Sequence, residues 1–292
     1  MDSRKPAYFG SVRFFKNIIL LAVLLAIGIS AAFALHYKQQ YKTLLQAVSA
    51  AESGGSIVID GEGPSYQKLY PDFRAPAEYA ATVRESRKAY ITVDLVSYVG
   101  AGDILDQLDE LGVRATFFAA APHSDSDGEI LRRIVDSGHT LGMLSWSKDC
   151  AVMYASVENY LNDMQQIFTY IQETTGVTPT LFRVYGGSIN SYNSGIYQPM
   201  LAEMIRRGFV PFDWNISSQV GQSTPTAEAQ VKNISEALGR VDRAVIQFQD
   251  TQDLEETRKA MPLLVEAIQQ AGFSIEPLTA VTKPVLFAGG TS

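Results

Sequence analysis

A repeated alternation between short apolar segments and amphipathic helical segments constrains the fold of this chain more than any other feature. From Lys88 onward, apolar residues recur at helical spacing and stop before a glycine near 104–111, 130–135, 157–171 and 197–205, which is typical of helices packed on a sheet. Repeated βα units predict parallel strands covered by helices, as in a barrel or a doubly wound sheet, with functional side chains at the carboxyl ends of the strands. Seven segments are predicted as strands: Ala89–Val93, Val113–Ala119, Thr140–Leu144, Thr180–Val184, Phe209–Trp214, Ala244–Phe248 and Phe273–Pro277.

Composition excludes several classes of function. The chain has 292 residues, of which 46% are apolar, so it can bury the core of a full single domain. The net charge of −7 argues against a nucleic-acid partner, because phosphate binding needs a basic surface. Cys150 is the single cysteine, which excludes an internal disulfide and a cysteine-rich zinc site.

The N-terminal region carries the strongest local signal. Residues 18–35 contain no charged side chain, and at about 1.5 Å per residue they nearly span a hydrocarbon core of roughly 30 Å. Basic residues outnumber the single acidic residue, Asp2, before this run, which favours a cytoplasmic N-terminus: Arg4, Lys5, Arg13 and Lys16. We therefore predict a cytoplasmic segment at 1–16, a transmembrane helix at 17–35 that anchors the protein in the cell membrane in a single pass, and an extracytoplasmic C-terminal domain.

A cleaved signal peptide is the alternative interpretation of the same run. Ala32-Phe33-Ala34 has the small-x-small pattern of a cleavage site, and cleavage after Ala34 would give a secreted protein. The uncharged run is longer than the usual apolar core of a signal peptide, about 7–15 residues, which favours the retained anchor. After the run we predict a stalk and a wrapping arm at 36–87, followed by the main domain at 88–290.

Four stretches at predicted strand ends carry a resemblance to a known family. They are YITVDLVS (90–97), SGHTLGMLSWSKD (137–149), TLFRVYGGSIN (180–190) and AVIQFQD (244–250). Their order, spacing and flanking residues resemble the polysaccharide deacetylase family, also called NodB-homology or carbohydrate esterase 4. The resemblance implies a distorted (β/α) barrel of NodB-homology type.

The same resemblance implies that the family's metal ligands and proton donor are replaced. The family has Asp, His, His and His where this chain has Leu95, Leu144, Lys148 and Gln249. Leucine has no lone pair for a metal, and a protonated lysine repels a cation. Gln249 stands at the general-acid position but cannot exchange a proton near neutral pH. We therefore expect no cofactor, with zinc or another divalent ion only in a rearranged site.

Other residues of the family's site are retained. Asp94 matches the general base, and Arg183 matches the arginine that orients it. Trp214 matches one wall of the sugar groove, and we predict that Tyr185 and Asp213 also contact substrate. A purely structural role is the alternative for the aspartates and for the aromatic residues. An aspartate at a strand end often caps a turn, and an aromatic residue in a strand often belongs to the core.

Two hypotheses concern how the altered site stays folded. Leu95 and Leu144 could fill the space of the metal with apolar volume. Lys148 could supply a positive charge opposite Asp94. His139 matches a family histidine that is not a ligand, so we interpret it as structural.

The function predicted from the sequence is that of a membrane-anchored polysaccharide deacetylase-like protein that acts on or binds an N-acetylated glycan of the cell envelope, peptidoglycan or capsular polysaccharide. Since the metal site is replaced, we expect a pseudoenzyme. The first alternative is an active N-deacetylase, a hydrolase with a rearranged site that uses Asp94, Asp149, Asp213 or Asp250. The second is a structural scaffold or a partner of an active deacetylase.

Overall fold

The predicted strands form one curled parallel sheet with helices on its outer side. The computed structural model describes residues 16–17, 19–20, 63–76, 86–218, 225–249 and 254–287, and the fold lies within the compact unit Ala51–Ser292. Most of the predicted anchor at 17–35 and of the stalk lies outside the described residues. Within the described ranges, no helix combines the length and the apolar character needed to cross a membrane.

All seven predicted strands are confirmed, although several are shorter than predicted. The described strands are β1 (Lys88–Leu95), β2 (Thr116–Ala120), β3 (Thr140–Ser145), β4 (Leu181–Phe182), β5 (Val210–Pro211), β6 (Ile216–Ser217), β7 (Arg243–Gln249) and β8 (Ser274–Ile275). Their order in the sheet is β5-β4-β3-β2-β1-β7-β6, and β8 also pairs with β1. The two-residue strand β6 was not predicted, because so short a segment has no periodicity.

The helices follow the predicted glycine-terminated segments, with three additions. They are α1 (Ala101–Glu110), α2 (Asp125–Asp136), α3 (Cys150–Met153), α4 (Val157–Thr175), α5 (Tyr197–Arg206), α6 (Ala227–Leu238) and α7 (Leu254–Gln270), of which α3, α6 and α7 were not predicted. Ser156 caps α4 by accepting a hydrogen bond from the backbone of Asn159, and Gly176 ends it with φ of 73°. These caps satisfy backbone groups that a helix end leaves without partners.

Two apolar layers lie on opposite faces of the sheet. Alternation along β1 directs Ile91, Val93 and Leu95 toward the helices and directs Tyr90 into the barrel interior. The interior layer also contains Phe118, Leu144, Phe212 and Val245. Thr92 and Asp94 share the interior face with Tyr90 by the same alternation. Asp94 therefore places a carboxylate among the side chains of the barrel interior.

One buried guanidinium makes several of the contacts between the domain and the described part of the predicted arm, residues 63–76. Arg207, which follows α5, is 2% exposed and pairs with Glu203 at 2.7 Å. It donates hydrogen bonds to four backbone carbonyls of the arm, those of Tyr66, Leu69, Tyr70 and Phe73. Arginine suits this role because its planar group presents five donors in fixed directions.

Candidate functional site

A buried ion pair crosses the barrel interior at the carboxyl ends of the strands. Arg183 directly follows β4, and Asp94 is the penultimate residue of β1; β2 and β3 lie between these strands in the sheet. Arg183 Nη1 lies 2.7 Å from Asp94 Oδ1, and the two residues are 0% and 2% exposed. The predicted contact of these two residues is therefore present. The catalytic role of Asp94 stays a prediction.

The Arg183 guanidinium also donates to backbone carbonyls and lies against the faces of aromatic rings. Its Nε donates to the carbonyl of Phe212 at 2.9 Å, and its Nη2 donates to that of Asp213 at 3.1 Å. Its central carbon lies 4.3 Å from the ring centroid of Phe118 and 5.4 Å from that of Trp214. Such contacts with ring faces are attractive, most strongly where water is excluded. Arg183 is thus fixed in position and committed to partners on several strands.

Gln247 also contacts Asp94 and was not predicted as a site residue. It lies on β7, beside β1, and its Nε2 donates to Asp94 Oδ2 at 2.6 Å. Each oxygen of the carboxylate therefore has a side-chain donor, Arg183 on one and Gln247 on the other. The available signal was a glutamine inside the apolar strand Ala244–Phe248, where a buried amide needs a partner.

Asp213 lies in the interior, where its carboxylate joins two segments of backbone. It is 0% exposed; Oδ1 accepts from the backbone N–H of Ser188 at 2.8 Å, and Oδ2 accepts from that of Phe287 at 2.7 Å. Burial raises the pKa of this carboxyl, although the hydrogen bonds act in the opposite direction. Its predicted contact with substrate is untested, and both of its oxygens are engaged in backbone contacts.

Phe287 packs against the predicted groove wall at Trp214. The two ring centroids are 4.8 Å apart with the planes nearly perpendicular, and Phe287 is 42% exposed. Gly187, with φ of 93°, lies under the Phe287 ring, and a Cβ there would come within 2.6 Å of it. Tyr185 is half-buried nearby, and its carbonyl accepts a hydrogen bond from the Tyr154 hydroxyl at 2.6 Å.

Leu95, Leu144 and Lys148 do not meet at one point. Leu95 packs in the layer facing the helices, whereas Leu144 packs in the barrel interior, and both are almost fully buried. Our hypothesis that both leucines fill one former metal space is therefore wrong, because β1 turns Leu95 to the other face. Lys148 is exposed, and its Nζ lies 3.0 Å from His123 Nε2. The hypothesis that Lys148 balances Asp94 is also wrong, because Arg183 does so.

The loop that carries Lys148 is held by a buried carboxylate on α4. Asp163 accepts hydrogen bonds from the backbone N–H groups of Trp146 at 2.8 Å and Ser147 at 2.7 Å. Burial raises the pKa of Asp163 to about 6, against the effect of these two hydrogen bonds. These two hydrogen bonds fix the path of the loop backbone beside Lys148.

The comparisons with known proteins agree with the family resemblance that these stretches carry. A model of the polysaccharide deacetylase family matches residues 82–200, which include the Asp94 and Arg183 stretches and the loop at Lys148. The peptidoglycan-N-acetylglucosamine deacetylase of Bacillus cereus is 24% identical over 261 residues, 88% of this chain and 90% of the relative. The predicted resemblance to the polysaccharide deacetylase family is therefore confirmed.

Solved structures of the polysaccharide deacetylase family share the fold. The catalytic domain of a peptidoglycan N-acetylglucosamine deacetylase from Eubacterium rectale is 27% identical, with a TM-score of 0.66 over 73% of this chain and 98% of that domain. A mutant of a carbohydrate esterase 4 pseudoenzyme, described as having restored enzymatic activity, gives a TM-score of 0.57 over 68% of each chain at 15% identity. The second likeness concerns the fold alone. The predicted NodB-homology barrel is thus confirmed for the described sheet and helices.

The residues of this chain do not fit a divalent ion at the family's ligand positions. Two of the positions hold buried leucines in different apolar layers, and the third holds an exposed ammonium group. Across the residues that the structure describes, no three His, Cys, Asp or Glu side chains lie where they could share a metal ion. Gln249 ends β7 opposite Asp94 and offers an amide, and Asp250 lies outside the described residues.

His139 has the surroundings of a structural residue. It is 6% exposed, and its Nδ1 accepts a hydrogen bond from the backbone N–H of Ala115 at 3.0 Å. Burial lowers its pKa from 6.5 to about 4, with Arg114 acting in the same direction. It precedes β3, at the amino ends of the strands and away from Asp94. The structural interpretation of His139 agrees with these contacts.

Proposed function

We propose that this chain is a membrane-anchored, extracytoplasmic pseudoenzyme of the polysaccharide deacetylase family that binds N-acetylated cell-envelope glycan without hydrolysing it by a metal-dependent route. One observation carries the proposal: the ligand positions hold Leu95 in the helix-facing layer, Leu144 in the barrel interior, and Lys148 beside His123. None of the three supplies a lone pair toward a common point. The peptidoglycan deacetylases among the relatives support a glycan as ligand.

The size of the expected activity loss supports an inactive site. A bound metal supplies several kcal/mol of stabilisation to the transition state in this type of hydrolysis. A general acid contributes a further factor of about 10²–10⁴, and Gln249 cannot replace it. The two losses fall on separate parts of the reaction, so no single compensating residue would restore the rate.

The alternative of an active hydrolase with a rearranged site is weakened by the engagement of its carboxylates. Asp94 accepts from Arg183 and Gln247, and Asp213 accepts from two backbone N–H groups. Asp149 caps α3 by accepting from the N–H groups of Ala151 and Val152. The described carboxylates named for that mechanism therefore already serve the fold.

The test is a paired measurement on the full-length protein. Zinc content after incubation with zinc would be measured by elemental analysis, and acetate release would be followed with N-acetylated chitooligosaccharide and with peptidoglycan. We expect no stoichiometric zinc and no acetate release above a heat-denatured control. Stoichiometric zinc together with acetate release would overturn the pseudoenzyme proposal.

Glycan binding distinguishes a binding protein from a scaffold. We expect the wild-type protein to be retained on insoluble peptidoglycan, and the variant Trp214→Ala to be retained less. The variant Trp146→Ala is the matched control, because Trp146 lies in the loop after β3 and packs against Tyr170 with ring centroids 6.0 Å apart. Equal failure of all three proteins to bind would favour the scaffold.

Membrane attachment through residues 17–35 is a separate part of the proposal. It is supported by the uncharged run and by the basic residues that precede it. Cell fractionation should place the intact chain with the membrane, and external protease should digest the C-terminal domain in cells with a permeable wall. Recovery of a soluble chain that begins after Ala34 would support the secreted form instead.

A further inference from the structure

Gln247 is a replacement at the site that is independent of the four changes to metal ligands and general acid. In the motif ending at Gln249, which resembles the family's LxH, Gln247 stands at the leucine position. Leucine has no hydrogen to donate, whereas the Gln247 amide donates to Asp94 Oδ2 at 2.6 Å. Gln247 is 7% exposed, so its amide has little access to water as an alternative partner.

The hydrogen bond from Gln247 limits the ability of Asp94 to act as a general base. A general base must reach the proton it removes within about 2.6–3.2 Å. Arg183 occupies the side of Oδ1 at 2.7 Å, Gln247 occupies that of Oδ2, and Asp94 as a whole is 2% exposed. A proton that arrived at Oδ2 would have to displace the hydrogen bond from Gln247 and leave a buried amide without an acceptor.

We propose that Gln247 is a positioning residue that holds Asp94 as a hydrogen-bond acceptor and so blocks it as a base, separately from the absence of metal donors. The proposal rests on the proposed function, since it describes a second reason for an inactive site. It explains why Asp94 and Arg183 remain in a chain without metal ligands: with Gln247, the pair connects β1, β4 and β7. Reinstating the four lost side chains alone is then insufficient for activity.

The first experiment compares two variants of the full-length protein. One carries Leu95→Asp, Leu144→His, Lys148→His and Gln249→His, and the other carries these four changes together with Gln247→Leu. Among preparations that bind zinc, we expect acetate release from N-acetylated chitooligosaccharide to be at least about tenfold faster with Gln247→Leu, since a working acid–base group contributes about 10²–10⁴-fold. Adding Gln230→Leu instead, at another buried glutamine, should leave the rate unchanged. Equal rates with and without Gln247→Leu would overturn the proposal.

In the first experiment, Leu95→Asp places a carboxylate in the helix-facing core and carries a folding cost. The second experiment therefore uses no engineered zinc site. In the wild-type protein, deuterium exchange of the side-chain amide of Gln247 is followed by NMR, with assignment from its loss in Gln247→Leu. We expect exchange at least about tenfold slower than for the exposed Gln269, which corresponds to a hydrogen bond of about 1.4 kcal/mol. Exchange as fast as that of Gln269 would overturn the proposal whether or not the zinc variants fold.

The two proposals fail in different ways. Zinc binding and acetate release by the wild-type protein would overturn the proposed function and, with it, the block at Asp94. An inactive wild type with a rapidly exchanging Gln247 amide would leave the proposed function intact and remove only the role of Gln247. An inactive wild type with a slowly exchanging amide, together with a rate gain from Gln247→Leu, supports both.

Discussion

Replacing Arg183 by methionine should destabilise the fold strongly, because it leaves the Asp94 carboxylate buried without a cation. Asp94 is 2% exposed and would keep only the hydrogen bond from Gln247. Removing one partner of a buried ion pair costs about 3–5 kcal/mol. For a domain of this size, each kcal/mol lowers the melting temperature by about 2–4 °C, so the expected loss is about 6–20 °C.

A double-mutant cycle distinguishes an ion pair from a loss of packing. Asp94→Leu combined with Arg183→Met replaces the whole pair by apolar groups, which is often neutral or stabilising. The double variant should therefore melt above the Arg183→Met variant, measured by circular dichroism on the full-length protein. Arg132→Met is the control: Arg132 pairs with Glu129 at the surface, where its side chain is 47% exposed and the pair is worth about 0–1 kcal/mol. Additive losses at Asp94 and Arg183 would refute the claim that the two charges depend on each other.

Three further outcomes are expected. The pKa of His139 is lowered from 6.5 to about 4, so the folded protein resists protonation of this residue. The contribution of neutral His139 to the free energy of unfolding is complete above pH 6.5 and decreases as the pH falls toward 4, by up to ~3 kcal/mol. Urea titrations of the wild type and of His139→Gln should diverge over that range, and a constant difference would contradict this. Gly187→Ala should lower the melting temperature through its positive φ and its contact with Phe287, and less so in a Phe287→Ala background, where only the backbone strain remains. Phe287→Ala should uncover Trp214 and shift its fluorescence to longer wavelength. The measurement is made in a Trp146→Ala background, where Trp214 is the one remaining tryptophan, with and without Phe287→Ala. An unchanged spectrum would show that Phe287 does not cover the ring in solution.

Prediction from the sequence succeeded where the signal is local. The strands and the helices that end before glycines follow from apolar spacing, since an element that packs on one face repeats its apolar residues at a fixed interval. The Asp94–Arg183 contact was predicted from the family resemblance, although the residues lie on strands separated by two others. Strand β6 and helix α3 are too short to produce a period. Helices α6 and α7 have amphipathic sequences but were not among the predicted helices.

The candidate site was predicted in its residues but not in its contacts. From the sequence, Gln247 is one more position of a strand motif. The register of β1 and β7 pairs it with Thr92, and from there its side chain reaches Asp94 diagonally across the two strands. Leu95 and Leu144 both read as apolar replacements, yet strand alternation directs one to the helices and the other to the barrel interior. The packing of Phe287 against Trp214 joins residues far apart in the chain, and no local pattern contains that information.

By itself, the sequence determined the βα architecture, the family frame and the absence of electron-pair donors at the ligand positions, because these depend on residue types and on short spacings. Only the tertiary structure decided which side chains surround Asp94, which layer each leucine joins, and that Lys148 contacts His123. Those outcomes depend on which face of a strand a residue occupies and on which strands become neighbours when the sheet curls. A buried carboxylate must find donors wherever the curled sheet supplies them, and here Arg183 and Gln247 are those donors.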